Sequence, residues 1–223
     1  DQIEDIKEGS CMQQNQIREF EEKTGYKLTA ENGRLICEGS MDLYGKNVEK
    51  LPENLTVKGG LNLYNLRIRE LPRGLKVEGM LIACRTQITE LPEDLEIGGD
   101  LDISYTQIKQ LSENLTVKDS LDISCTNITE LPGGLKVGGS LNACRTQIKK
   151  SLDFHRVKGG LYLSGTNITE LPDNLIVEGS LYLVSTPILK LPENLTVIGD
   201  LDISGTHVSE MPKSLKVGGT IYR

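Results

Sequence analysis

The sequence predicts a mainly β, right-handed solenoid of twenty-residue coils, closed at its N-terminal end by a short helical cap. Three observations predict it. From Leu51 onward the chain repeats every twenty residues without insertion or deletion, as L-P-x-x-L-x-V-x-G-x-L-x-L-x-x-T-x-I-x-x. Units begin at Leu51, Leu71, Leu91, Leu111, Leu131, Ser151, Leu171, Leu191 and Met211. Within a unit, positions 5, 7, 11 and 13 are apolar at period two, the strand signature. Leu supplies 32 of the 223 residues, so each unit carries enough branched side chains to face a common axis. A single unit cannot offset the entropy of its own ordering, so stability must come from stacking.

The elements follow in chain order. Residues 1–34 lie outside the period. Gln13 to Thr24 reads as a short helix, with Ile17 and Phe20 three apart and Gly25 as its stop; Ile3 and Ile6 form a second such pair. This segment is expected to cover the open edge of the first coil. A degenerate unit follows, with Leu35, Cys37, Gly39, Met41, Leu43 and Val48 in phase, so the solenoid is assigned to residues 35–223, about ten coils. At the spacing of neighbouring strands it is roughly 45 Å long. Its inner strands centre on positions 11–13, which requires Leu61, Leu81 and Leu101 to stack in register.

Other positions read as mechanical. Pro at position 2 fixes φ and removes a donor. The segment at Leu55, Val57 and Gly59 alternates, so the outer side is expected to be extended or β as well. Gly at position 9 marks a bend or a positive φ, with Asp119 as the exception. Thr fills position 16 in seven consecutive units, Thr86 to Thr206, where a hydroxyl can bond a backbone group of the same or the next coil. One coil departs from the pattern: residues 149–156 read K-K-S-L-D-F-H-R, with Leu displaced to Leu152 and no Pro. There His155 occupies an inward position as a half-buried structural residue, unless Phe154 turns in instead.

The run L-x-L-x-x-T-x-I-x-x-L-P-x-x-L resembles a leucine-rich repeat. Its period and LP dipeptide are similar to the bacterial repeats of YopM- and IpaH-like enteric effectors, over roughly residues 35–223. Two departures are Thr where that family has Asn, and L-x-V-x-G in place of a second LP. The resemblance implies a protein-binding scaffold, preceded by a helical segment, from a bacterial cytoplasm or secreted as an effector. It also implies an alternative: the substrate-recognition part of a larger effector of ubiquitin-ligase type, whose catalytic domain is absent here.

The composition argues against several other classes. The net charge is −7 and aromatic residues are 4% of the chain, which disfavours a nucleic-acid groove. No apolar run reaches the length of a membrane-spanning helix. The five Cys include no CxxC, and with two His there is no zinc spacing. Free thiols fit a reducing compartment, or export of an unfolded chain between cytosols. Cys84 and Cys144 sit in identical ACRTQI segments three coils apart, too far to pair. No nucleophile–base pair or phosphate loop is legible, so neither enzymatic activity nor a cofactor is expected. Five Asn-x-Ser/Thr sequons, at Asn54, Asn114, Asn127, Asn167 and Asn194, are generated by the repeat itself. The chain begins at Asp1 rather than Met, as after loss of a leader or tag.

What remains is surface. Positions 10, 12 and 15 project from the inner sheet. They bring together an acidic group, Asp100, Asp102 and Asp122, with Asp119 nearby and Asp202 further along. They also place Tyr162 and Tyr182 on adjacent coils and Tyr105 between Arg85 and Arg145. Tyr is favoured at recognition surfaces. The acids equally serve as a solvated face, and the Tyr pair as a packing ladder. A protein partner is expected, with no nucleic acid and no membrane. The last unit stops at Arg223, which is expected to leave Leu201, Ile203 and Val217 open to end-to-end self-association, or to mark a lost C-terminal region.

Overall fold

A computed structural model describes residues 14–149 and 152–223. Residues 14–24 are helical. The helix ends where the Gly25 N–H donates to Glu21 O at 2.7 Å, with Gly25 at φ 80°, the left-handed C-cap that Gly adopts without penalty. Phe20 buries its ring in the core, and the Thr24 hydroxyl donates to Phe20 O. Gln13, Ile3 and Ile6 lie outside the described residues. A hairpin comes next: Thr29–Glu31 and Arg34–Cys37 pair antiparallel across Asn32 and Gly33, at φ 50° and 77°. Asn-Gly supplies the positive φ that a two-residue hairpin turn needs. Arg34–Cys37 then pairs in parallel with Leu55–Val57, so the hairpin covers the first outer edge. The Tyr26 hydroxyl accepts the Asp42 N–H at 2.7 Å and occupies the first inner edge.

Ten two-residue strands, Met41–Asp42 through Ile221–Tyr222, form one parallel inner sheet. Leu61, Leu81 and Leu101 stand in register, as the period requires. The coil-to-coil ladder continues beyond each strand, as in Tyr105 N–H to Ser124 O at 3.0 Å. Inward side chains of all coils form one continuous cluster, reaching from Phe20 to Ile203.

After each inner strand the chain turns back through positions 13–16. Arg85, Tyr105, Cys125 and Arg145 sit at position 15 with φ 56–57°, the sign a type II turn demands at its third residue. The Thr row closes this turn: Thr126 Oγ1 donates to Ile123 O at 2.7 Å, and Thr86 through Thr206 repeat the bond. It is therefore a set of identical bonds within coils, not a ladder between them. Thr126→Val keeps the shape and leaves a buried carbonyl without its donor. We expect a loss of about 1–3 kcal/mol, read as a lower denaturant midpoint.

The outer side is β, with strands at positions 6–7, but in three sheets. The first runs from the hairpin to Glu96–Ile97, the second joins Thr116–Val117 to Lys136–Val137, and the third runs from Arg156–Val157 to Lys216–Val217. Each ends on a strand followed by Gly at position 8: Gly98, Gly138 and Gly218. A Cβ at Gly98 would lie 1.9 Å from Glu78 O, and one at Gly138 would lie 1.8 Å from Lys118 O. Only a residue without a side chain fits against the preceding coil at these positions. The second split also meets the irregular coil. There Leu152 is buried and Phe154 packs partly against the core, while His155 is exposed, contrary to its reading as an inward residue.

Position 9 is Gly for a reason other than positive φ. A Cβ at Gly179 would meet Gly160 N at 2.6 Å and Gly159 C at 2.7 Å. Backbones of successive coils touch there, and only Gly39 of this row has positive φ. At the far end Leu201 and Ile203 are buried and Val217 is partly so, which corrects the expectation that the first two stand open.

Candidate protein-binding face

The inner sheet lays the position-12 residues in one row across neighbouring strands. Asp102 pairs in register with Asp122, Asp122 with Asn142, Tyr162 with Tyr182, and Tyr182 with Asp202. Asp102, Asp122, Tyr162, Tyr182 and Asp202 thus share one face, each half-buried.

Most of the carboxylates serve the backbone. Asp102 Oδ1 accepts both the N–H and the hydroxyl of Ser104, at 3.0 and 2.7 Å. Asp122 Oδ1 accepts the Ser124 N–H at 2.8 Å, and its Oδ2 accepts Asn142 Nδ2 at 2.8 Å. Asp202 Oδ1 takes the Ser204 N–H at 2.9 Å. These are Asx turns, in which a short acceptor satisfies a donor two residues on, just as the chain leaves the strand.

Position 10 carries a ladder that the sequence reading did not anticipate. Asp100 Oδ1 accepts the Ser120 N–H at 2.8 Å, Ser120 Oγ accepts the Ser140 N–H at 3.2 Å, and Ser140 Oγ accepts the Gly160 N–H at 2.9 Å. Ser180 and Asp200 continue it toward Thr220. The recurrence of Ser and Asp in that column was the available signal.

The tyrosines are less committed. Tyr162 and Tyr182 stack at 5.2 Å between centroids and 9° between planes. A Cβ at Gly160 would fall 2.7 Å from the Tyr162 ring, so this Gly makes room for the aromatic. Among the described residues, neither hydroxyl makes a protein hydrogen bond. Tyr105 is exposed in its left-handed turn, with the Arg85 guanidinium 4.4 Å from its ring centroid. Such a contact holds the cation over the ring face and presents both to solvent.

Burial is the chief cause that pushes the Cys84 thiol up to about 12, with the Asp102 carboxylate adding to it. Burial likewise raises Cys144, aided by Asp122. Both thiols stay protonated at neutral pH and are poor nucleophiles there. Hydrogen bonding to Cys125 is the main cause raising the Tyr105 phenol. Among the described residues, no three His, Cys, Asp or Glu side chains are placed to hold a metal ion, and no helix is long and apolar enough to cross a membrane.

No protein-family model matches the chain, and no curated protein matches it. Solved structures do. The leucine-rich-repeat domain of a Shigella effector is 17% identical over 81% of each chain, with a TM-score of 0.50. YopM from Yersinia pestis, a leucine-rich effector protein, is 18% identical, with a TM-score of 0.56. That match covers 81% of this chain and 60% of YopM. At such identities the shared property is the fold.

Proposed function

We propose that this leucine-rich-repeat solenoid is a non-enzymatic scaffold that binds a partner protein on its inner sheet. The observation that carries the reading is the stacked Tyr162–Tyr182 pair, an aromatic platform with two unengaged hydroxyls on adjacent, in-register strands of the inner sheet. Large aromatics with a polar tip are the residues that dominate binding energy at protein interfaces. The carboxylates beside them contribute charge complementarity, while Asp122 is held by its own neighbours.

The test is capture of partners by the wild-type chain, identified by mass spectrometry, with the affinity then measured for variants. Tyr162→Ala with Tyr182→Ala should weaken binding by about 2 kcal/mol or more, the scale of an interface hot spot, and leave the thermal midpoint nearly unchanged. Asp102→Asn should reduce the salt dependence of binding. A partner indifferent to all three changes would move the site off this face.

The Shigella neighbour is one domain of an effector, and this favours a second reading, a recognition part within a larger protein. The full reading frame of the natural protein discriminates the two: a catalytic domain following the repeats would establish the second.

A further inference from the structure

The split between Glu96–Ile97 and Thr116–Val117 opens a groove of about 1770 Å³ on the outer side, lined from residues 70–78, 90–98 and 110–118. Within each outer sheet the strands bond coil to coil, as in Glu96 N–H to Leu75 O and Gly98 N–H to Val77 O. Across the split the equivalent pairs, Thr116 N–H with Leu95 O and Lys118 N–H with Ile97 O, are not formed among the described residues. One strand edge therefore offers carbonyls and the other offers amides. Around the split the position-9 ladder also lapses: among the described residues Gly99 N–H makes no bond to Gly79 O. Gly139 N–H reaches Asp119 O at 2.9 Å, but no bond joins Asp119 N–H to Gly99 O.

With Glu53, the lining carries eight carboxylates against three basic side chains; Glu70, Glu78 and Glu96 are paired with Lys50, Lys58 and Lys76, and Glu90 and Glu93 are in no ion pair among the described residues. Leu95 and Leu115 floor it. We propose that this groove docks a basic, extended segment of a partner protein. Its main chain would pair with the edges at 95–97 and 116–118, and its Lys or Arg side chains would meet the carboxylates of the rim. Main-chain pairing gives an extended peptide its affinity, and the flanking charges select its composition. This surface is distinct from the Tyr162–Tyr182 face.

Fluorescence anisotropy of a fluorescein-labelled Lys-Thr octapeptide repeat against the full chain tests the proposal. Saturable binding is expected. It should weaken at least tenfold in Glu90→Lys/Glu93→Lys and change less than twofold in Glu170→Lys/Asp173→Lys. The second pair is the same charge reversal beside Ile176–Val177, a strand paired on both sides. The same peptide with alternate amides N-methylated should also bind at least tenfold more weakly. Absence of binding, equal losses in both charge variants, or indifference to N-methylation would each overturn the proposal. So would loss of binding in Tyr162→Ala/Tyr182→Ala, which would assign the peptide to the inner sheet.

Discussion

Leu161→Ala is expected to destabilise the chain by about 2–5 kcal/mol, the range of a fully buried leucine that leaves a cavity. Leu161 has no exposed surface and stands in register between Leu141 and Leu181. Its backbone is held on both sides, by Leu161 N–H to Ser180 O and by Leu141 N–H to Gly160 O, both at 2.9 Å. The surrounding coils therefore have little freedom to collapse into the space. Leu189→Ala is the control, because Leu189 is 66% exposed and its removal should stay within about 0.5 kcal/mol. Urea unfolding of the two variants checks the pair. A small shift for Leu161→Ala would mean that the inward row is not packed as described.

Gly179→Ala is expected to act through the opposite fault. Its new methyl would meet backbone atoms of the neighbouring coil at 2.6–2.9 Å, and backbone cannot step aside as a side chain can. Overpacking of this kind costs about 1–3 kcal/mol. The damage should be local: the N–H groups of Ile176 and Glu178, bonded to His155 O and Val157 O, should lose protection from hydrogen exchange ahead of the inner strands. Gly133→Ala provides the contrast. Nothing lies closer than 3.6 Å to its Cβ position and its φ is not positive, so it should stabilise by about 0.4–1 kcal/mol through the unfolded chain.

The inner sheet was legible because Leu61, Leu81 and Leu101 recur at a spacing without exception, and period-two alternation has one physical reading. The outer strands were legible for the same reason, from Leu55 and Val57. Backbone conformation was harder to read. Position 15 holds Arg85, Tyr105 and Cys125, residues that do not advertise a left-handed turn, and only Gly45, Asn65, Gly165 and Gly205 in the same column betray it. Asn32-Gly33 was a plain hairpin signal lying outside the repeat, where periodicity has nothing to say. The splits were written in the phase of the glycine pairs. Gly98-Gly99 and Gly138-Gly139 stand one place earlier than Gly59-Gly60, and that shift moves the Cβ-less residue onto the preceding coil. At the proposed binding face the sequence placed the side chains together but could not show that Asp122 is spent on Ser124 and Asn142 while the tyrosine hydroxyls are not. That distinction depends on which donors the turn leaves within reach.

Where position 10 is Ser or Asp, the ladder makes the same joint from one coil to the next. Ser120 accepts from the coil after it through the same atoms that Ser140 uses in its turn, so a joint between two such coils does not depend on which coils they are. A gene that gains or loses sixty bases within this run gains or loses one whole coil, and every remaining joint closes as before. A change that is not a multiple of sixty bases shifts the phase of the repeat, and the array is interrupted. Length is therefore a heritable variable of this protein that selection can adjust in steps of roughly 4.8 Å, lengthening or shortening the inner face without redesigning any one joint.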